Sequence, residues 1–292
     1  MVDNMERNLR ATNKGCFGGC GKMHIDAGEG FRIYVNGLGK RVFCEKCANI
    51  YETLGCYHSN ARNNRGENPI GTEKKGALQS TTIGCEFEVY EGDMRREDFS
   101  KLCHMLRRLF VTTGEQDCTV SAEYPTEAMQ GLATVSATLR SIEEHGLLSG
   151  LNNEHCGAHI HVCCNKVEYI RRYYHSIFLP LASCIRGLST EKRIEYFGSD
   201  FRYYAHDINS NTTPTDHANI FNTQHAKTLE FRLPRVRTAK QYITVCKFWR
   251  EVGYAINTFD LHEGAGDNAT RLRYAKALGE KLTDIFRKYY KE

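Results

Sequence analysis

One stretch indicates the fold of this chain most directly: residues 81–90, Thr-Thr-Ile-Gly-Cys-Glu-Phe-Glu-Val-Tyr. Its β-branched and aromatic residues are typical of a β-strand. Within it, Glu86 and Glu88 alternate with apolar residues, and alternate residues of a strand point to opposite faces of a sheet. The stretch therefore predicts a strand with one buried face and one acidic face.

Three later segments are also predicted to be strands that carry polar residues: residues 117–124, 158–164 and 228–233. In the last two, polar and apolar residues alternate as they do in the first strand. The polar residues concerned are Asp117, Glu123, His159, His161, Glu230 and Arg232. Several strands together can aim carboxylates and imidazoles at one point, which is what divalent cations that bridge phosphate oxygens need. The four strands predict a metal–nucleotide site.

Helices are predicted between these strands. Apolar residues at helical spacing mark residues 96–114, about 127–145 and 169–186, and most of the last 55 residues. Pro180 is expected to bend or end the third helix, and residues 200–226 are predicted to be irregular. Strands with polar residues at every second position differ from the apolar strands of a doubly wound fold. We therefore expect an α+β fold with a concave sheet that is open on one face.

The overall composition sets limits on the class of protein. The 292 residues are 41% hydrophobic and 25% charged, with a formal net charge of +4, and these values are ordinary for a soluble globular protein. Such a charge does not by itself indicate nucleic-acid binding. No run approaches the roughly 18 apolar residues of a membrane span, and the first residues lack the apolar stretch of a signal peptide. We expect a cytoplasmic protein with no membrane partner.

Cysteine is frequent, with thirteen residues in the chain. In a reducing cytosol we expect thiols or metal ligands rather than disulfides. Cys85, Cys163 and Cys246 lie in apolar runs, where a cysteine behaves as a small hydrophobe. Four others, near the N-terminus, lie outside such runs: Cys16, Cys20, Cys44 and Cys47.

These four cysteines form two knuckles at the ends of a predicted hairpin. Its strands are Phe31–Val35 and Lys40–Phe43, joined by a turn at residues 36–37. The arrangement brings four thiolates to a tetrahedral point, the geometry of a structural zinc site. It resembles a zinc ribbon, although three residues instead of two separate Cys16 from Cys20.

Other interpretations of this segment stay open. His24 is an alternative to Cys20, Cys56 or His58 is a candidate spare ligand, and the four cysteines are unrelated thiols in the simplest interpretation. With zinc, residues 1–58 form a small module, since a segment of this size has too little core to fold without metal. Its eight Lys and Arg against six Asp and Glu are too balanced for a nucleic-acid footprint. Docking or a purely structural role is at least as well supported.

The domain organisation follows from a change in composition. Residues 59–80 are polar, rich in Asn and Gly, and nearly free of large apolar groups, which is typical of a linker. We therefore predict a zinc-ribbon-like module over residues 1–58, a linker over 59–80 and a main domain over 81–292.

The motifs of the main domain resemble those of a known family. Their order is Gly-x-Glu-x-Glu at residues 84–88, the acidic pair, Gly-x-His-x-His at 157–161 and Leu-Glu-Phe-Arg at 229–232. This order is similar to that of the amidoligases, carboxylate–amine ligases similar to glutamine synthetase and glutamate–cysteine ligase. The resemblance covers roughly residues 81–260 and depends on short motifs. It implies a curved antiparallel sheet with the active site on its inner face and helices packed on its outer face.

The resemblance also implies roles for particular residues. Glu86 and Glu88 serve two different metal ions on opposite sides of the ATP phosphates. His159 shares a metal with the first glutamate, Glu230 completes that site, and Arg232 grips phosphate. Glu123 matches a metal ligand on the next inner strand, and Asp117 lies just ahead of it. Apart from the resemblance, His161 is expected on the same face as His159, as a ligand, a partner that orients a ligand or a substrate contact, and Arg235 is a candidate phosphate contact because it is close to Arg232. Cys118-Thr119 follows Asp117 where the family has Gly-Ser, which leaves the role of Asp117 open.

The implied activity is ATP-dependent formation of an amide or isopeptide bond. A carboxylate does not react with an amine until phosphorylation turns it into an acyl phosphate, and oxygen ligands with one imidazole suit Mg²⁺ or Mn²⁺ better than zinc. Two alternatives are a metal-dependent hydrolase or phosphotransferase that uses the same residues, and a catalytically inactive zinc-ribbon binding protein. Neither substrate is identified, although the front module weakly favours a macromolecular acceptor, and the oligomeric state is open.

Overall fold

The structure is a computed structural model that describes residues 5–13, 16–17, 22–35, 39–54, 56–58, 82–109, 114–116, 120–126, 129, 131–202, 205–260 and 267–290. The chain forms two compact units. The first consists of residues 1–70, 86–127 and 141–156, and the second of residues 71–85, 128–140 and 157–292. Helices and mainly antiparallel sheets in both units confirm the predicted α+β class.

The first unit begins with a small antiparallel sheet. Its strands are β1 (Met5–Arg7), β2 (Phe31–Val35) and β3 (Gly39–Phe43), in the order β1-β2-β3. The predicted hairpin is confirmed by the pairing of β2 with β3. A helix that we did not predict, α1 (Glu45–Leu54), begins directly after Cys44. Glu45 in its first turn was an available signal, because an acidic side chain stabilises a helix N-terminus.

A second sheet in this unit contains four strands in part or in whole: β4 (Cys56–His58), β5 (Ile83–Val89), β6 (Gly114–Gln116) and β7 (Ala122–Pro125). Their order is β4-β6-β7-β5, with β4 parallel to β6 and the other pairs antiparallel. Helix α2 (Arg96–Leu109) follows β5. The boundary between the units falls within β5, between Cys85 and Glu86, and within helix α3 (Ala133–Glu144).

The second unit adds three strands and five helices in its described part. The strands are β8 (Ala158–Cys163), β9 (Phe221–Asn222) and β10 (Thr228–Phe231), and β10 pairs antiparallel with both of the others. The helices are α4 (Val167–Arg172), α5 (Tyr174–Gly187), α6 (Thr190–Phe197), α7 (Ala239–Thr258) and α8 (Asn268–Tyr289).

The core of the second unit lies on the apolar face of these strands. Trp249 of α7 stacks on Phe221 with a ring separation of 5.5 Å, and its ring lies 5.0 Å from that of Phe231. Helix α7 approaches β8 closely at Gly253, where an added Cβ would lie 2.8 Å from Val162. Because alternate residues of a strand face opposite ways, this packing directs the polar residues of β8 to β10 to the other face.

One helix prediction needs correction, and one of the two outcomes expected at Pro180 is excluded. The helix predicted over residues 169–186 is two helices, α4 and α5, with Tyr173 between them. Pro180 does not end α5. Proline has no N–H to donate to Ser176 O, four residues earlier, and α8 packs against that carbonyl at Gly279, where an added Cβ would lie 2.6 Å from the oxygen. The absence of a side chain at Gly279 allows the close contact.

Other boundaries differ modestly from the predictions. Helix α3 begins at Ala133 instead of about residue 127, because Met129 is extended and bridges to Ile83. The segment predicted to be irregular, 200–226, contains the short strand β9. The predicted strand 117–124 is represented by β7, and residues 117–119 lie outside the described residues.

The predicted domain boundaries stay a prediction, because the linker at residues 59–80 lies outside the described residues. Among the described residues, no helix combines the length and the apolar character needed to cross a membrane.

Candidate metal-binding sites

Three of the four predicted zinc ligands lie together in the first unit. The Sγ atoms of Cys16, Cys44 and Cys47 are all within 4.8 Å of one another. Cys20 lies outside the described residues, as do the side chains of Cys56 and His58. The three thiols are a group that can hold a metal ion.

A hydrogen-bond donor and a helix N-terminus lie beside these thiols. The backbone N–H of Cys44 donates a hydrogen bond to Cys16 Sγ at 3.1 Å. Cys44 immediately precedes α1 and Cys47 lies in its first turn, where the helix dipole and the free N–H groups stabilise negative charge. Thiolates are the form in which cysteine binds metal.

His24 takes part in a different set of contacts. Its Nδ1 is hydrogen-bonded to Asn13 Oδ1, and its Nε2 lies 2.9 Å from Asp26 Oδ1. Both ring nitrogens therefore have oxygen partners. The sequence spacing allowed His24 to replace Cys20 as a zinc ligand, but this arrangement does not favour that alternative.

A second cluster lies on the polar face of β8, β9 and β10 in the second unit. The strand register places Glu230 opposite His161 on one side and opposite Asn222 on the other. Directly opposed residues on paired strands point to the same face. The row Asn222–Glu230–His161 is therefore built by strand pairing, and residues 159 and 232 follow on the same face two positions along their strands.

Glu230 is the centre of this cluster. It is 1% exposed, and Arg232 Nη1 donates to its Oε1 at 2.5 Å while Asn222 Nδ2 donates to its Oε2 at 2.8 Å. His159 Nδ1 lies 3.3 Å from Oε1. A carboxylate removed from water in this way requires charged or hydrogen-bonding partners, and Glu230 has both.

Two further imidazoles approach the same carboxylate. His161 Nε2 lies 3.8 Å from Glu230 Oε1, and His225 Nε2 lies 3.9 Å from Oε2. The two rings meet edge to face with centroids 5.3 Å apart. Ligand atoms of these three residues all lie within 4.8 Å of one another. His161 is buried, whereas the His225 side chain is 50% exposed and reaches the solvent.

Side chains of two helices hold the strands of this cluster in place by hydrogen bonds to the strand backbone. Tyr174 of α5 donates its hydroxyl to Phe221 O at 2.6 Å, and burial raises the pKa of Tyr174. Trp249 of α7 donates its indole N–H to Leu229 O at 3.3 Å. The residues before Asn222 and Glu230 are thus held by buried side chains of two helices, which limits the movement of the cluster.

A second arginine lies near His159. Arg202 Nη2 lies 3.5 Å from Arg232 O, and both Arg202 and His159 pass close to Gly157. A Cβ added at Gly157 would lie 2.4 Å from His159 Nε2 and 2.9 Å from Arg202 Nη2. Glycine is therefore required for the approach of an imidazole and a guanidinium at this position.

The first unit has its own row of acidic residues. The register of β5 and β7 places Glu88 opposite Glu123, and that of β6 and β7 places Glu115 opposite Glu123. Like charges directly opposite each other destabilise a sheet unless other groups balance them. Glu86, two residues before Glu88, is buried.

The structure thus brings together part of the predicted set. His159, His161, Glu230 and Arg232 meet in the second unit, and Glu88 faces Glu123 in the first. Asp117 lies outside the described residues. Arg235 follows β10, where its backbone N–H donates to Phe197 O at 2.8 Å, and its phosphate contact stays a prediction.

Sequence reasoning missed two residues: Asn222 and His225. Asn222 lies in a two-residue strand inside a segment predicted to be irregular, and His225 lies in the connection between β9 and β10. A short connection, residues 223–227, joins the antiparallel strands β9 and β10. Recognising this hairpin would have placed Asn222 and His225 near Glu230. No known family model, no characterised protein and no solved structure matches this chain.

Proposed function

We propose that this protein is an ATP-dependent carboxylate–amine ligase that forms an amide or isopeptide bond through an acyl phosphate. The observation that carries the proposal is the buried contact of His159 with Glu230, 3.3 Å apart, with Arg232 on the same carboxylate. By the resemblance to amidoligases, these are two ligands of one metal and an arginine that grips phosphate. The contact joins residues 71 positions apart in the chain.

The charges of the cluster support an anionic ligand. A divalent cation bound at Glu230 would lie beside the guanidinium of Arg232. These two positive groups would share one carboxylate, so an anion that contacts both would balance the remaining positive charge. A polyphosphate meets this need, because its oxygens bind Mg²⁺ and the planar donors of arginine together.

The pairing of β5 with β7 supports the second metal position. Glu88 is the residue that the resemblance assigns to a metal apart from that of His159, and the strand register places it opposite Glu123, which is a metal ligand by the same resemblance. Oxygen ligands alone suit Mg²⁺ or Mn²⁺. When bound, these ions neutralise charge on the transferred phosphoryl group.

The chemistry of the proposal is a two-step transfer. A carboxylate oxygen of one substrate attacks the γ-phosphorus of ATP, and ADP leaves. The amine nitrogen then attacks the acyl carbon, inorganic phosphate leaves, and the amine loses a proton. The residues of the site hold and orient the reacting groups. They also exclude water, because water can hydrolyse an acyl phosphate before the amine attacks it.

The proposal includes a finer fold, a curved antiparallel sheet with its helices outside, as in amidoligases. The packing of α7 against the face of β8 to β10 opposite to Glu230 supports this arrangement in the second unit. The substrates we propose are a carboxylate and an amine, and the location is the cytoplasm.

The test is thermal unfolding with and without Mg²⁺ and ATP. A ligand at about 100 times its dissociation constant adds about 2.7 kcal/mol, so the wild type is expected to melt several degrees higher with both present. Glu230→Gln is expected to remove the shift. Glu195→Gln, the same change at an exposed residue of α6, is the matched control. An equal shift in all three proteins contradicts a nucleotide site at Glu230.

A second candidate function, a metal-dependent hydrolase, is favoured by one observation. His161, His225 and Glu230 form a set of two imidazoles and one carboxylate, which suits zinc and related transition metals and is a set found in catalytic zinc sites. In this case Zn²⁺ or Mn²⁺ alone stabilises the protein, and ATP adds nothing. Stabilisation that requires Mg²⁺ and ATP together favours the ligase instead.

For the cysteine cluster we propose a structural zinc site, with Cys20 as the fourth ligand. The buried core around it is small: Ile25, Ile33, Phe43, Cys44, Cys47 and Ala48. A core of this size stabilises a fold only weakly without a metal or disulfides. The expected result is one equivalent of zinc in the purified protein, retained by Glu230→Gln and lost on Cys44→Ser.

A further inference from the structure

A cavity of about 570 Å³ lies in the second unit, between α4 and the first turn of α8. Its lining consists of Glu168, Tyr169, Arg171, Arg172 and Arg271. Tyr169 connects the two helices, because its hydroxyl donates to Arg271 O at 2.8 Å. The volume is in the range of about 300–1,000 Å³ that is typical of small-molecule sites, and three of the five lining residues are arginines.

The three arginines differ in the hydrogen bonds and ion pairs that their side chains form within the protein. Arg171 forms an ion pair with Glu168, and it donates from Nε to Thr223 O at 2.8 Å and from Nη2 to Gln224 O at 2.8 Å. Within the described part of the chain, the guanidinium groups of Arg172 and Arg271 make neither a hydrogen bond nor an ion pair, and Arg271 Nε is buried. Among the residues that the structure describes, these two positive charges therefore line the cavity without an anion paired to them.

We propose that this cavity binds a phosphate-bearing small molecule. Guanidinium groups present planar, paired donors that match phosphate oxygens, and two uncompensated charges match the charge of a phosphate monoester, about −1.5 to −2 at neutral pH. The buried Nε of Arg271 gains an acceptor when the ligand binds. The ring of Tyr169 offers an apolar surface to the rest of the ligand.

The cavity is connected to the Glu230 cluster through Arg171. This side chain also donates to His225 O at 3.3 Å, so it holds the backbone of residues 223–225, the segment that carries His225 to Glu230. The ligand therefore binds beside the residue that fixes the exposed edge of the cluster. The binding proposal does not depend on the proposed function, since it concerns other side chains.

Isothermal titration of the full chain with inorganic pyrophosphate, without added divalent cation, tests the proposal. The wild type is expected to bind, and Arg172→Ala and Arg271→Ala each to lose affinity by about tenfold or more, the usual effect of removing a charge-assisted hydrogen bond. Arg273→Ala removes the same charge from an exposed position on α8 outside the cavity lining and is expected to bind as the wild type does. Glu230→Gln is also expected to retain binding, which separates this site from the proposed ligase site.

Three results would overturn the proposal. The first is the absence of pyrophosphate binding to the wild type. The second is an equal loss of affinity in Arg273→Ala, and the third is tighter binding of a single-stranded oligonucleotide that all three arginine variants weaken. Either of the last two results indicates a diffuse basic surface. If Arg271→Ala does not fold, Arg271→Lys keeps the charge and removes the paired donors, and it is expected to weaken binding as well.

Discussion

The cysteine cluster of the first unit and the Glu230 cluster of the second contrast in what holds them together. Cys16, Cys44 and Cys47 lie in a small core and carry charge of one sign when ionised, so a bound cation would stabilise their grouping. Glu230 lies on strands packed against long helices and is balanced by Arg232. The proposed zinc would therefore contribute to the folding of the first cluster, whereas protein side chains already hold the second cluster together.

The largest expected effect comes from breaking the cysteine cluster. Cys44→Ser is expected to release zinc and to unfold residues 5–54, since the binding free energy of a structural zinc is folding free energy. Zinc content and amide hydrogen exchange measure both results. Cys184→Ser, at a partly buried thiol of α5, is the control and is expected to leave both unchanged. Protection of β2 and β3 that persists without zinc would mean that the small core is sufficient.

The next effect concerns the stability of the Glu230 cluster. Glu230→Ala leaves the buried guanidinium of Arg232 without its carboxylate, and breaking a buried pair in this way costs about 3–5 kcal/mol. Urea unfolding measures the change. The double variant Glu230→Gln, Arg232→Met is expected to recover most of the loss, because it removes the charge that would be left unpaired. A cost below about 1 kcal/mol for the single variant would indicate a solvated pair.

These two clusters also differ in how far the sequence predicts them. Alternation of polar and apolar residues is a local property of a strand, and it correctly placed His159 with His161 and Glu230 with Arg232 on polar strand faces. The pairing of these strands brings Asn222 and His225 to the same carboxylate. That pairing depends on tertiary contacts, and a strand of two residues has no periodicity to detect.

The fold shows the same division between local and tertiary signals. Capping and periodicity gave the end of α3, where Gly146 has a φ of +69°, as expected of a helix C-terminus. Pro180 was expected to bend or end a helix, and it lies inside α5, where Gly279 of α8 packs against Ser176 O. This packing involves a residue 99 positions from Pro180, and sequence pattern alone does not connect the two.

A smaller and more local effect is expected at Gly157. A methyl group in Gly157→Ala would meet His159 Nε2 at 2.4 Å, so the imidazole must turn or shift. His159 is a metal ligand in the proposed ligase site, so misplacing it is expected to reduce the affinity for the metal by about 10–100-fold, as loss of an orienting contact does. Gly187→Ala, where an added Cβ meets nothing within 4 Å, is the control. Titration with Mn²⁺ measures the affinity, and equal values for both variants would place the metal away from His159.

The smallest effect on stability, and the sharpest separation of the two candidate functions, is expected from His225→Ala. This side chain is half exposed, and such substitutions usually change stability by no more than about 0.5 kcal/mol. In a hydrolase, His225 is one of three ligands, so its loss is expected to abolish stabilisation by Zn²⁺. In the ligase, the metal is held by His159 and Glu230, so stabilisation by Mg²⁺ and ATP is expected to survive. The two titrations of one variant therefore give opposite results for the two functions, and loss of both would make His225 necessary to the whole cluster.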